Sequence, residues 1–205
     1  MRASDAYGDL MALDRPVVET REAAARLGTS LSNASRILRA SDDAGLVRQI
    51  RKGLWALDPN LDPFVVAPYL TAPFPAYISL WSALAHHDMI EQIPGSVFVV
   101  SLDRARKIRT SLGWFSVHHV TPELFTGFDG SPDTGYVATP EKALFDSVYV
   151  RAPRGGRAYF PELSLPSGFD ETRIETWIAR IAQPRLRTLV AREMKASIAQ
   201  ASRAT

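Results

Sequence analysis

From Ser30 to about Ala44 the chain carries two opposed stripes at one helical period. Ala34, Ile37, Leu38 and Ser41 fall at i, i+3, i+4 and i+7, so they line one face of a helix. Ser32, Ser35, Arg36 and Arg39 repeat that spacing about 200° around the axis. Such a helix packs on its own domain with the small and apolar stripe. It offers hydroxyls and guanidiniums to something else with the other. A recognition helix lying in a DNA major groove has that division of labour.

The flanks fit the same interpretation. Thr20 is placed to cap an alanine-rich helix Arg21–Leu27, Gly28 supplies the turn on which that helix ends, and Ser30 caps the striped helix. Gly45 stops it. Two short apolar runs follow, Leu46–Ile50 and Leu54–Leu57, and Arg51-Lys52-Gly53 between them reads as the turn of a hairpin. The expectation over residues 1–57 is a winged helix-turn-helix that binds DNA. Arg36 and Arg39 would reach the groove with Ser32 and Ser35 beside them. Ser30 would offer its hydroxyl or the helix-terminal amide to phosphate, and Arg48, Arg51 and Lys52 would hold the backbone.

Charge supports a local reader over a wrapped nucleic acid. Residues 21–55 carry seven Arg and Lys against three acids, 61–150 carry five against nine, and 151–205 carry ten against five. The basic charge sits in the reader and the tail, and phosphate contact needs such a patch. With no cysteine, disulfides, thiolate zinc sites and thiol catalysis are excluded. No N-terminal signal-like run and no stretch of about 18 apolar residues occurs, so the expectation is a cytoplasmic protein with no membrane partner.

Residues 58–76 hold five prolines, at 59, 63, 68, 73 and 75. That density argues for an extended connector, packed on a surface through Phe64, Val65, Val66, Tyr69 and Leu70. The second domain, 77–205, is expected to be mixed, giving an α+β chain overall. Ser79 would cap a helix Leu80–Met89, and Val97–Ser101 reads as a strand. Lys107–Thr110 and Trp114–Val120 form a hairpin, Tyr136–Ala138 is a further strand, and a helix starts at Thr139-Pro140-Glu141 and runs to about Val150. A Gly- and Pro-rich loop spans 153–168, and two helices, Glu171–Ala182 and Leu186–Ala201, close the chain with a break at Pro184.

Four fragments then stand out: YISLWSALAHHDMIEQIP, VFVVSLDRARKIRTSLGWFSVHHV, TPELFTGF and GYVATPEKALFDSVYV. In this order, after a winged helix and a proline-bearing segment, they resemble the AbiEi family of type IV antitoxins. The resemblance covers about residues 15–150. It implies a bacterial antitoxin that represses its own operon through the N-terminal domain. The C-terminal domain would counter a nucleotidyltransferase-like toxin without a stable complex. It brings no cofactor, metal or catalytic residue.

Other chemistry finds little footing. The histidines occur as His86-His87 and His118-His119, and neighbours on a helix or strand diverge, so each pair offers at most one metal ligand. There is no Gly-x-Ser-x-Gly elbow, and Arg154-Gly155-Gly156-Arg157 lacks the strand and helix of a phosphate loop. In ATPEKALFD, Ala143, Leu144 and Val148 are expected in the core with Glu141, Lys142 and Asp146 near the edges. Arg104, Arg106, Lys107 and Arg109 read either as a charged sheet edge that blocks pairing or as a second phosphate-facing or acidic-partner surface. The terminal helices carry apolar residues at helical spacing, for packing or for a homodimer on DNA. The alternative function is a winged-helix regulator whose second domain senses a ligand or partner protein. A third is an enzyme with a winged helix attached.

Overall fold

The computed structural model describes residues 3–154, 160 and 162–201. The chain opens with α1 (Ala3–Met11), β1 (Val17–Glu19), α2 (Thr20–Arg26), α3 (Leu31–Asp43) and the hairpin β2 (Arg48–Arg51) and β3 (Leu54–Ala56). β3 pairs antiparallel with both other strands, in the order β1-β3-β2. Leu10, Val18, Ala23, Leu38, Val47, Trp55 and Leu57 form the core under the helices. The expected cap of α2 moves by one residue. Glu19 is the N-cap, in a reciprocal capping box with Glu22, while the Thr20 hydroxyl accepts a 2.9 Å hydrogen bond from Trp55 Nε1.

The proline-rich stretch is not an extended connector. Pro63–Thr71 is a helix, α4, capped by Asp62, whose carboxylate accepts from the Phe64 amide at 2.8 Å. Pro63 sits in the first turn, where the missing N–H has no partner to lose. Pro68 lies inside the helix, which ends after nine residues. Prolines at this spacing shorten a helix without forbidding one. Val66, Ala67 and Leu70 of α4 pack into one core with Val17, Ile50, Leu54 and Ala56 on one side and Ile78, Val99, Ile108, Phe115 and Val117 on the other. The expected boundary at residues 57–58 is therefore bridged by shared apolar contacts.

The large sheet comprises β4 (Ala76–Ile78), β5 (Val97–Ser101), β6 (Arg106–Thr110), β7 (Gly113–His119), β8 (Phe128–Ser131) and β9 (Gly135–Ala138), in the order β6-β7-β5-β4-β9-β8. It is mixed: β5–β7 and β4–β9 are parallel and the other pairs antiparallel. Side chains alternate between faces. Ile78, Val99, Ile108 and Phe115 meet α4, while Tyr77 and Val100 face a second core built with α5 (Leu80–His86), α6 (Pro140–Arg151), α7 (Glu171–Ala179) and α8 (Pro184–Ala201). α5 and α7 are each shorter than expected, and the expected break between the last two helices is present, with Pro184 as the first residue of α8. The whole is a mixed α+β chain. Among the described residues no helix is long and apolar enough to cross a membrane. Part of the expected 153–168 loop, including Gly155, Gly156 and Arg157, lies outside the described residues.

Candidate nucleic-acid interface

α3 begins with Ser30, whose hydroxyl accepts from the Asn33 amide at 3.3 Å, so the expected cap is in place. Ala34, Ile37, Leu38 and Ser41 are buried, and Ser32, Arg36 and Arg39 are exposed on the opposite side. Both stripes read from the spacing are present. The β2–β3 turn at Gly53 (φ +85°) brings Lys52 across from α3. Between them lies an open groove of about 430 Å³ whose walls include Ser32, Ser35 and Arg39 from α3, and Gln49 and Lys52 from the hairpin. Trp55, fixed by its hydrogen bond to Thr20, forms the floor. Four of the expected contact residues thus converge.

The other four stand apart from that groove. Ser30 is at the helix start with its hydroxyl committed to the cap. Arg36 is exposed, and its guanidinium donates to Asn33 Oδ1 at 2.9 Å, while Asn33 Nδ2 donates to Thr29 Oγ1 at 2.7 Å. That relay holds Arg36 in a defined position beside the helix N-terminus. Arg51 is exposed next to the hairpin turn. Arg48 is engaged within the chain. Its guanidinium donates to the main-chain oxygens of Ser111, at 3.0 Å, and Pro59, at 3.5 Å. The Ser111 amide in turn donates to the Ile50 carbonyl at 2.9 Å. Arg48 is a brace to the β6–β7 hairpin, a contact 63 residues away that no local pattern announces. Spacing also missed Thr20 and Gln49. Gln49 sits opposite Trp55 in the strand register, the one signal that could have found it.

A second polar cluster lies in the core of the other half. Lys142 and Asp146 are fully buried, Nζ to Oδ1 at 2.5 Å one turn apart on α6, and Glu141 is almost as deep. The expectation that these three sit at the helix edges is wrong. α6 packs against α5, α7, α8 and β9, which bury every residue from Glu141 to Val148. Asp146 Oδ2 also accepts from Tyr77 Oη at 2.9 Å and Ser79 Oγ at 2.7 Å. Ser79 therefore spends its hydroxyl on Asp146, not on capping α5. The Lys142 ammonium rests among the rings of Phe145 (4.8 Å), Trp177 (5.4 Å) and Tyr77 (5.9 Å). Burial holds Lys142 below the ordinary lysine range, with Asp146 pulling the other way. Burial, and then the Asp146 charge, push the Tyr77 hydroxyl well above the usual tyrosine value. The cluster ties β4, the start of α5 and α6 together at one carboxylate.

The histidines are used locally. His87 Nε2 lies 2.7 Å from the Ala138 carbonyl, His118 Nε2 3.1 Å from Ser116 Oγ, and His119 Nδ1 3.2 Å from the Asp103 carbonyl. Among the described residues no group of three or more His, Asp or Glu could hold a metal ion. Compared with protein-family models and with curated proteins, the chain matches none.

Proposed function

We propose that this chain is a DNA-binding antitoxin and autorepressor, with α1–α3 and the β2–β3 hairpin acting as a winged helix-turn-helix on duplex DNA. The observation that carries the DNA reading is the convergence of Ser32, Ser35, Arg39 and Lys52 on one open groove beside an exposed helix face. In it Arg39 reads base edges, with the two serines beside it, and Lys52 holds phosphate. Arg36 and Arg51 extend the contact on either side. The antitoxin half of the proposal rests on the resemblance of residues 77–150 to the AbiEi family.

Binding of fluorescent duplexes from the chain's own upstream region, measured across salt concentrations, tests the first half. Arg39→Ala should weaken the preferred sequence by about 1–3 kcal/mol and relax the preference. Lys52→Ala should weaken all duplexes alike and lower the salt slope by about 1. Unchanged binding in both variants would remove the groove from consideration. For the second half, the full-length Arg39→Ala/Lys52→Ala chain is co-expressed with a nucleotidyltransferase-like toxin driven from an unrelated promoter. Rescue of growth there cannot come from repression. Failure of this variant and of the wild-type chain to rescue leaves a plain transcription regulator.

A further inference from the structure

The first residue of α3 is a large apolar side chain left in the open. Leu31 is 58% exposed, whereas Ala34 and Leu38, three and seven residues further along the same stripe, are fully buried. None of the three apolar cores takes Leu31 in, either as a buried member or as a partly buried neighbour. The stripe that seats α3 on its domain therefore overruns the core at the start of the helix. A single exposed leucine is ordinary on a protein surface and needs no account. The place of this one is what sets it apart.

Leu31 lines the groove between α3 and the β2–β3 hairpin. Ser35 and Arg39 follow it at i+4 and i+8 on the same wall, each step turning only about 40° around the axis, so the three make one ridge. The hydroxyl and the guanidinium suit phosphate oxygens or the donor and acceptor edges of bases. Leu31 suits neither, since it carries no donor, acceptor or charge. The apolar group that a base pair presents in the major groove is the C5-methyl of thymine, and leucine can pack on it. A recognition helix meets base edges with its N-terminal residues, and Leu31 directly follows the Ser30 cap. From Leu31 to Arg39 the helix rises about 12 Å, which spans at most about four base-pair steps.

We propose that Leu31 is a specificity-determining residue that reads the 5-methyl group of one thymine, within about four base pairs of the base met by Arg39. This rests on the reading of the groove as a DNA interface. The test uses the full-length chain and the tightest-binding duplex from its own upstream region. Each thymine in turn is replaced by deoxyuridine, which removes the methyl and leaves the pairing edges as they were. Uracil should cost the wild type about fourfold in affinity at one position, the worth of one methyl group taken out of water. Leu31→Ala should bind thymine and uracil alike at that position and keep the wild-type response at every other. Its salt slope should equal that of the wild type, because no phosphate contact is lost. Arg39→Ala should keep the uracil penalty while losing preference at its own base pair. Wild-type binding with no uracil-sensitive position, or with a penalty that Leu31→Ala retains in full, overturns this proposal and spares the groove. No duplex binding by the wild type overturns both. A Leu31→Ala chain that binds every duplex as the wild type does but fails to rescue growth in the co-expression assay would assign Leu31 to a protein contact and also overturn it.

Discussion

The ammonium of Lys142 lies 2.5 Å from the carboxylate of Asp146, one turn along α6, with neither side chain reaching solvent. Each charge is tolerable because the other is there, and because Tyr77 and Ser79 occupy the second carboxylate oxygen. Lys142→Met is expected to cost about 3–5 kcal/mol, since it strands a buried carboxylate. Lys142→Met/Asp146→Asn should cost clearly less than the sum of the two single changes. Urea unfolding of the four proteins measures the coupling, and additive losses would show the pair to be energetically independent.

Tyr77 gives the same cluster a signature in alkali. Its folded-state hydroxyl titrates well above the unfolded value of about 10, so above that pH the native state holds a proton that the unfolded state has lost. The stability this group contributes is complete below pH 10 and declines as pH rises beyond it, by up to about 1.4 kcal/mol per pH unit for one proton. Lys142, shifted down, acts with the opposite sign below its ordinary value of 10.5, so the tyrosine effect is cleanest above that point. Tyr77→Phe should flatten the decline between pH 10.5 and 11.5 in urea titrations. A slope equal to that of the wild type would place the responsible proton elsewhere, with Tyr69 and Tyr149 the next groups raised.

Arg48 and Lys52 stand four residues apart and should behave oppositely. Arg48→Ala removes hydrogen bonds to Ser111 and Pro59 and is expected to lower stability by about 1–2 kcal/mol while leaving the salt slope of DNA binding unchanged. Lys52→Ala should leave stability within about 0.5 kcal/mol of the wild type and lower the slope. A slope change in the Arg48 variant equal to that of Lys52 would return Arg48 to the phosphate contacts.

Gly127 holds a φ of +82°, and a Cβ built there would lie 2.5 Å from Trp177 Cζ2 and 3.2 Å from the Lys142 stem. Gly127→Ala therefore combines a left-handed backbone cost with overpacking beside the buried ammonium. A loss of about 2–4 kcal/mol is expected in thermal or urea unfolding. A neutral substitution would mean that Trp177 has room to move.

What could be read without the structure was whatever is encoded over one or two turns of chain. The stripes of α3, the Ser30 cap, the helix start at Thr139-Pro140-Glu141, the glycine turns and the β6–β7 hairpin were all legible, because helical and strand periods and cap chemistry are local. Of the groove, Ser32, Ser35, Arg39 and Lys52 were legible for the same reason. Three-residue strands such as β1 and β4 are too short to show a period, and both went unseen.

The sequence by itself determined which side of α3 is buried and which is offered outward, since the apolar and polar positions are opposed on one helix. Only the tertiary structure decided where the long-range partners fall. It placed α4 as the shared backing of two sheets, turned Arg48 into a brace and enclosed Lys142 with Asp146. A residue's burial depends on how many elements surround its helix or strand. A charged residue on an enclosed helix looks, in one dimension, the same as one on an exposed edge.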